Sequence, residues 1–215
     1  SQNQIEKAAY ERWERRGWLH GHHDEDWIAA EKDMTFGLNY RTIAVYSLSG
    51  AKSPLIGVER NPRCRFCERS APRATFATVQ PAVPAILGNT ALFTREICDS
   101  CADQFAGTID RDLAAFWETV GPIREGAMSL WQLAPSLVLP IPAYKSLVRV
   151  ALSLMPADEL GNFTDALEWV SNSDHELDRA LFGGLGSLIY QTAAPFESPR
   201  VSLTRRIFPD APFPY

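Results

Sequence analysis

All four cysteines of this 215-residue chain fall in two Cys-x-x-Cys pairs, Cys64 and Cys67 in CRFC and Cys98 and Cys101 in CDSC. None is left over. A Cys-x-x-Cys pair on a tight turn, a knuckle, aims two sulfurs at one point, ~2.3 Å away where the ion is zinc, and two knuckles complete a tetrahedral four-thiolate site. Such a site is closed to water and therefore structural, so a bound Zn2+ is expected to contribute folding energy directly. The gap from Glu68 to Ile97 is longer than in the commonest zinc-ribbon spacing, which calls for a folded insert between the knuckles.

Composition narrows the rest. A hydrophobic content of 46% and a charged content of 22% are ordinary for a globular chain. The length allows one large domain or two small ones with a sizeable core. A formal net charge of −5 argues against a wholesale nucleic-acid coat and leaves local patches open. The most apolar region, Leu130 to Met155, is interrupted by Pro135, Pro140, Pro142, Lys145 and Arg149 and is excluded as a membrane span. No charged stretch followed by an apolar one opens the chain. Paired cysteines at metal spacing then point to reduced thiols and a cytoplasmic location. The Ser1 start fits a processed terminus. Internal repeats, a Walker loop, a dinucleotide fingerprint and a nucleophile elbow are all lacking.

The insert FATVQPAVPAILGNTALFTREICDSCADQF reads as strand, turn, strand, then one helix from near Cys98 to near Val120. With its knuckles it resembles the HNH endonuclease superfamily, in the four-cysteine zinc subgroup. That pattern is C-x-x-C, a strand ending A-H-x-I-P, L-G-N, then C-x-x-C-N and an acidic helix. Pro84, Leu87, Gly88, Asn89, the second knuckle and the helix carrying Asp110, Asp112 and Phe116 match it. Where the family has its general-base histidine this chain has Pro81, preceded by Gln80. Where the family has a metal-holding Asn or His it has Ala102. Proline has no ionisable group and alanine no ligand atom. The resemblance, which extends over roughly residues 40–172, thus implies an HNH-like zinc-binding ββα module with no catalytic residues. The role it implies is a nucleic-acid-binding or protein-interaction adaptor linked to mobile elements or phage defence.

Upstream, IEKAAYERWERRG sets Ile5, Ala8, Ala9 and Trp13 at helical spacing, with Arg12 and Arg16 opposite and Gly17 as the stop. After WLHGHHDED a second helix, DWIAAEKDM, is expected, with Asp24 or Asp26 as its cap. This helical hairpin resembles a small bacterial family of unknown function. Tyr10, Trp13, Glu14, Gly17, Gly21, Trp27, Ala30 and Glu31 fit its pattern, which brings no activity with it. His20, His22 and His23 beside Asp24 and Asp26 admit two readings. One is a second metal site or a substitute base for an active metal-dependent endonuclease, with Asp99, Asp103 or Asp110 as metal ligands. The other, which we prefer, is a polar loop whose acids cap the next helix.

YRTIAVYSL and PLIGVER read as two strands of a hairpin. Around the first knuckle Arg60, Arg63, Arg65, Arg69 and Arg73 face only Glu59 and Glu68. They are either a phosphate-contact surface for DNA or RNA, or exposed turn residues balancing the thiolate charge. Further on, Tyr144, Leu147, Val148, Ala151, Leu152 and Leu154 form an apolar helical stripe stopped by Pro156. Phe163, Leu167, Trp169 and Val170 are expected to face inward on the next helix. In the tail, Gly183, Gly184 and Gly186 make a joint, LIYQTA and RVSLTRRIF read as strands, and His175, Arg200, Arg205 and Arg206 as surface residues. The expected fold is α+β, with a helical hairpin over 1–36, a zinc module with its preceding β-hairpin over 37–122, and a helical region with short strands over 123–215.

Overall fold

A computed structural model describes residues 2–50, 55–57, 61–120, 139–174 and 200–206. The fold is α+β, and its elements run α1 (Gln2–Arg15), α2 (His23–Asn39), β1 (Tyr40–Ser47), β2 (Gln80–Pro81), β3 (Phe93–Thr94), α3 (Asp99–Gly107), α4 (Ile109–Thr119), α5 (Ile141–Leu154), α6 (Thr164–Ser171) and β4 (Arg200–Arg206). Among the described residues two two-stranded sheets form, one from β1 and β4 and one from β2 and β3. Among the described residues, one compact unit takes in 2–45 and 202–206, and a second takes in the remainder.

In the first unit α1 packs against α2 as a hairpin. Gly17 stops α1 at φ +75°, a left-handed conformation that costs glycine nothing. The Gly17 N–H donates to the Glu14 carbonyl at 3.0 Å and the Trp18 N–H to the Trp13 carbonyl at 3.2 Å. Those two bonds define a Schellman turn, and its usual apolar contact is present as Trp13 and Trp18 rings 4.7 Å apart. Arg16 does not lie opposite the apolar positions, as the sequence suggests. It is half-buried and paired with Asp26, whose side chain is buried on α2. The carboxylate turns the arginine inward, because a buried acid without a cation is costly.

The second unit contains the ββα arrangement expected from the sequence. β2 and β3 are antiparallel, with Gln80 opposite Thr94 and Pro81 opposite Phe93. The strands are short because Pro81 has no N–H for the ladder. Between them Asn89 is buried and donates to the carbonyls of Val83 (2.7 Å) and Leu92 (2.9 Å). Its side-chain oxygen accepts from the N–H groups of Leu92 and Ala91. Asn89 therefore clamps the connection from inside, which is a structural reason for the L-G-N run.

Further expectations need correction. β1 pairs with β4, and among the residues of PLIGVER that are described, Ile56 forms a parallel bridge with Thr94 rather than a hairpin with β1. The single helix from Cys98 to Val120 is two helices, broken at Thr108, where a β-branched residue follows Gly107 and its hydroxyl turns back to the Gln104 carbonyl at 2.6 Å. On α5 the buried face is Ala143, Lys145, Ser146, Arg149, Val150, Leu152, Ser153 and Leu154, while Leu147 is exposed. Phe163 is exposed as well. The glycine joint at 183–186, LIYQTA, His175 and the 121–135 connector lie outside the described residues. Among the described residues no helix is long and apolar enough to cross a membrane.

Candidate metal centre

The first knuckle is a tight turn closed by backbone bonds from Cys64 N–H to the Arg69 carbonyl and from Glu68 N–H to the Cys64 carbonyl, both 2.9 Å. Glu68 takes φ +58° to make the turn. The second knuckle is the start of α3, with Cys98 at its N-cap and Cys101 one turn in. The Asp99 carboxylate accepts from the Ala77 N–H at 2.9 Å and from Gln80 Nε2 at 3.0 Å, fastening the helix start to the incoming strand. Those bonds, the one from Ala77 first, hold the Asp99 carboxyl below its ordinary range.

These two turns bring all four thiols together, their sulfurs all within 4.8 Å of one another. Tetrahedral bonding to one ion at ~2.3 Å requires sulfurs ~3.8 Å apart. Cys67 Sγ and Cys98 Sγ stand 3.7 Å apart, and none of the four is in a disulfide. The donor set and its spacing fit a single metal ion held by Cys64, Cys67, Cys98 and Cys101. Two groups support the sulfurs from outside: the Cys98 N–H points at Cys64 Sγ (3.5 Å), and Ser100 Oγ lies 3.3 Å from Cys98 Sγ.

The electrostatics follow from crowding. A hydrogen bond with Cys101 pulls the Cys64 thiol down to about 4 against the effect of burial, and backbone bonds from Cys67, Cys98 and Phe66 add to it. The Cys101 thiol is pushed far up, first by that same bond, then by burial and the charge on Cys64. Burial pushes Cys67 up. One thiolate thus forms readily and resists the ionisation of its neighbours. A divalent cation removes that resistance, so metal binding expels protons.

A core wraps the sulfurs, made of Phe66, Ala74, Ile97, Phe105, Ile109, Leu152 and Val170. Phe66 meets Phe105 edge-on at 4.8 Å. The core buries Cys64, Cys98 and Cys101, leaves Cys67 half-buried, and ties both knuckles to α5 and α6.

The knuckle arginines have separate fates. Arg65 is interior, its side chain 6% exposed, ion-paired with Glu96 and donating to the carbonyls of Leu152 (3.0 Å) and Met155 (2.6 Å). Arg63 is exposed and pairs with Glu68 at 2.9 Å. Arg69 and Arg73 are exposed, and Arg60 lies outside the described residues.

The positions that HNH chemistry would need are placed as follows. Pro81 is exposed on β2, and Ala102 packs against the core around the sulfurs. Asp110 accepts from Ser146 Oγ at 2.5 Å and from Arg149 at 3.1 Å, and Arg149 also donates to the Ala82 carbonyl at 3.3 Å. Asp103 is exposed. In the first unit, His20 and His23 flank Trp13, and His22 Nδ1 lies 2.8 Å from Glu25. His23 and the acids Asp24 to Asp26 form the first turn of α2, so the acids lie at its positive end.

Lys145 and Arg149 on α5 are buried as well, although in the sequence they look like polar interruptions of an apolar run. Lys145 Nζ donates to the carbonyls of Asn172 (2.5 Å) and Asp174 (2.6 Å), just past the end of α6, and lies over the Trp169 ring. Burial pulls its ammonium down, partly offset by the Asp174 charge. Burial likewise pulls the Arg149 guanidinium down, and Asp110 opposes this. The usable signal is their i, i+4 spacing within an otherwise apolar helix.

A family model described as a protein of unknown function (DUF2934) matches residues 1–34, the helical hairpin. No HNH family model is among the matches. No curated protein and no solved structure matches the chain.

Proposed function

We propose that this chain is a zinc-clamped, non-catalytic relative of HNH endonucleases that serves as a binding adaptor. The observation that carries the reading is the state of Asp110. Both of its oxygens are engaged, one by Ser146 and one by the buried Arg149, which leaves it a structural anion rather than a ligand for a catalytic metal. Pro81 and Ala102, with no base and no ligand atom, point the same way. Zinc is the ion proposed because four thiolates at single-ion spacing suit it, whereas magnesium and calcium take oxygen ligands. Reduced, metal-bound thiols also favour a cytoplasmic setting.

A protein partner is the better-supported target. Arg65 is used inside the fold and Arg63 is paired, which among the described residues thins the phosphate-contact surface to Arg69 and Arg73. Their exposure keeps DNA or RNA contact as the second reading. One experiment separates these: zinc-loaded protein with labelled DNA and RNA in Mn2+, run on native and denaturing gels across a salt series. Intact, unshifted strands are expected. A salt-sensitive shift lost on replacing Arg69 and Arg73 by glutamine would move the reading to a nucleic-acid binder. Cut strands, with cutting abolished in the His22→Ala/His23→Ala variant, would overturn it in favour of an active endonuclease.

A further inference from the structure

Arg65 sits between the two cysteines of the first knuckle, yet its side chain leaves the knuckle altogether. It pairs with Glu96, two residues before the first cysteine of the second knuckle, and its own N–H donates to the Glu96 carbonyl at 2.8 Å. The same guanidinium donates to the carbonyls of Leu152 and Met155 at the end of α5. Those carbonyls have no intrahelical partner and carry the negative end of the helix dipole, so a buried cation is favoured there. Glu96 is in turn set by its surroundings. Its N–H donates to Thr94 Oγ1 at 3.0 Å, and its side chain lies against Gly57, where a Cβ would overlap Glu96 Cγ. Arg65 is thereby a single rigid fork joining the first knuckle, the approach to the second, and α5.

We propose that Arg65 is the positioning residue of the metal centre, fixing the spacing of the two knuckles and making the docking of α5 depend on metal occupancy. The inference rests on the zinc reading above. When Cys64 and Cys67 are held by the ion, Arg65 is held between them and reaches Glu96 and α5 together. When they are released, the fork has no fixed base, and α5 loses the cation that satisfies its last turn. Conversely, removing the fork loosens the approach of one sulfur pair to the other. Groups that orient metal ligands from outside usually change affinity about 10- to 100-fold when removed.

The test uses the full chain. Zinc affinity is measured by competition with a chromophoric chelator, Co2+ is substituted to read thiolate geometry from its absorption bands, and hydrogen exchange follows the last turn of α5. For Arg65→Met we expect about 10- to 100-fold weaker zinc binding, altered Co2+ bands, and faster exchange in that turn even with metal bound. Arg65→Lys should recover part of the affinity. Glu96→Gln, which keeps the carbonyl bonds, should shift the Co2+ bands with α5 still protected, and it serves if Arg65→Met does not fold. Arg111→Met, an exposed change on α4, should leave all three readouts unchanged. Wild-type zinc affinity with unaltered Co2+ bands in folded Arg65→Met or Glu96→Gln would overturn the inference and leave the zinc reading standing. Wild-type protein that binds no zinc would overturn both.

Discussion

In the helical hairpin, among side chains described over residues 2–34, only Asp26 and Ala30 are buried. The knuckle unit instead buries three of its four cysteines in a continuous apolar cluster that draws on α3 to α6. The hairpin is held by a Schellman turn, a Trp13-centred aromatic group and the Arg16–Asp26 ion pair among others. The knuckle unit instead converges on four thiols set at the spacing of a single metal ion. Local motifs hold the first region, whereas the second is arranged to take a ligand. A turn motif and a few rings can be replaced piecemeal, whereas four convergent thiols fail together without their ion.

Removing the metal should separate the two regions most strongly. A strong chelator, or Cys98→Ser, should cost on the order of 10 kcal/mol in the knuckle unit. Hydrogen exchange should show α3 to α6 unprotected while α1 and α2 are unaffected. Simultaneous loss in both would erase the distinction. Next in size is Asp110→Ala, which leaves Arg149 buried without its counter-ion and should destabilise the zinc-loaded protein by about 3–5 kcal/mol in chemical denaturation. Lys145→Met strips two carbonyls beyond α6 of their donor and should cost about 1–3 kcal/mol, with fraying confined to α6. On the hairpin side, Gly17→Ala forces a Cβ into φ +75°. It should cost about 1 kcal/mol, seen as lost helicity with zinc binding intact. The smallest effect is expected from Glu68→Gln. The exposed Arg63–Glu68 pair should change the unfolding free energy by about 0–1 kcal/mol.

What could be read in advance follows the range of the forces involved. The knuckles, the hairpin with its Gly17 stop, and the strand–turn–strand–helix order are local patterns, and the chain displays them residue by residue. The pairing of β1 with β4 joins segments far apart in sequence, and no local periodicity encodes it. Arg149, 2% exposed, and Lys145 look in the sequence like polar interruptions of an apolar run because isolated cations are rarely interior. Their burial depends on Asp110 in one case and on carbonyls beyond α6 in the other, both supplied by tertiary structure. Arg65 looks like one more surface arginine for the same reason, since its carbonyl acceptors lie at the end of α5, far along the chain. At the candidate metal centre the ligands were legible and their supports were not, because spacing reveals the thiols while burial alone reveals the groups that hold them.

If one zinc ion held by Cys64, Cys67, Cys98 and Cys101 organises the knuckle unit, metal analysis of freshly purified protein, paired with thiol alkylation before and after chelation, should reveal it. One zinc per chain is expected, with four thiols that react only once the metal is removed. Clearly less than one zinc per chain, with the cysteines in disulfides or freely reactive from the start, would rule this organisation out.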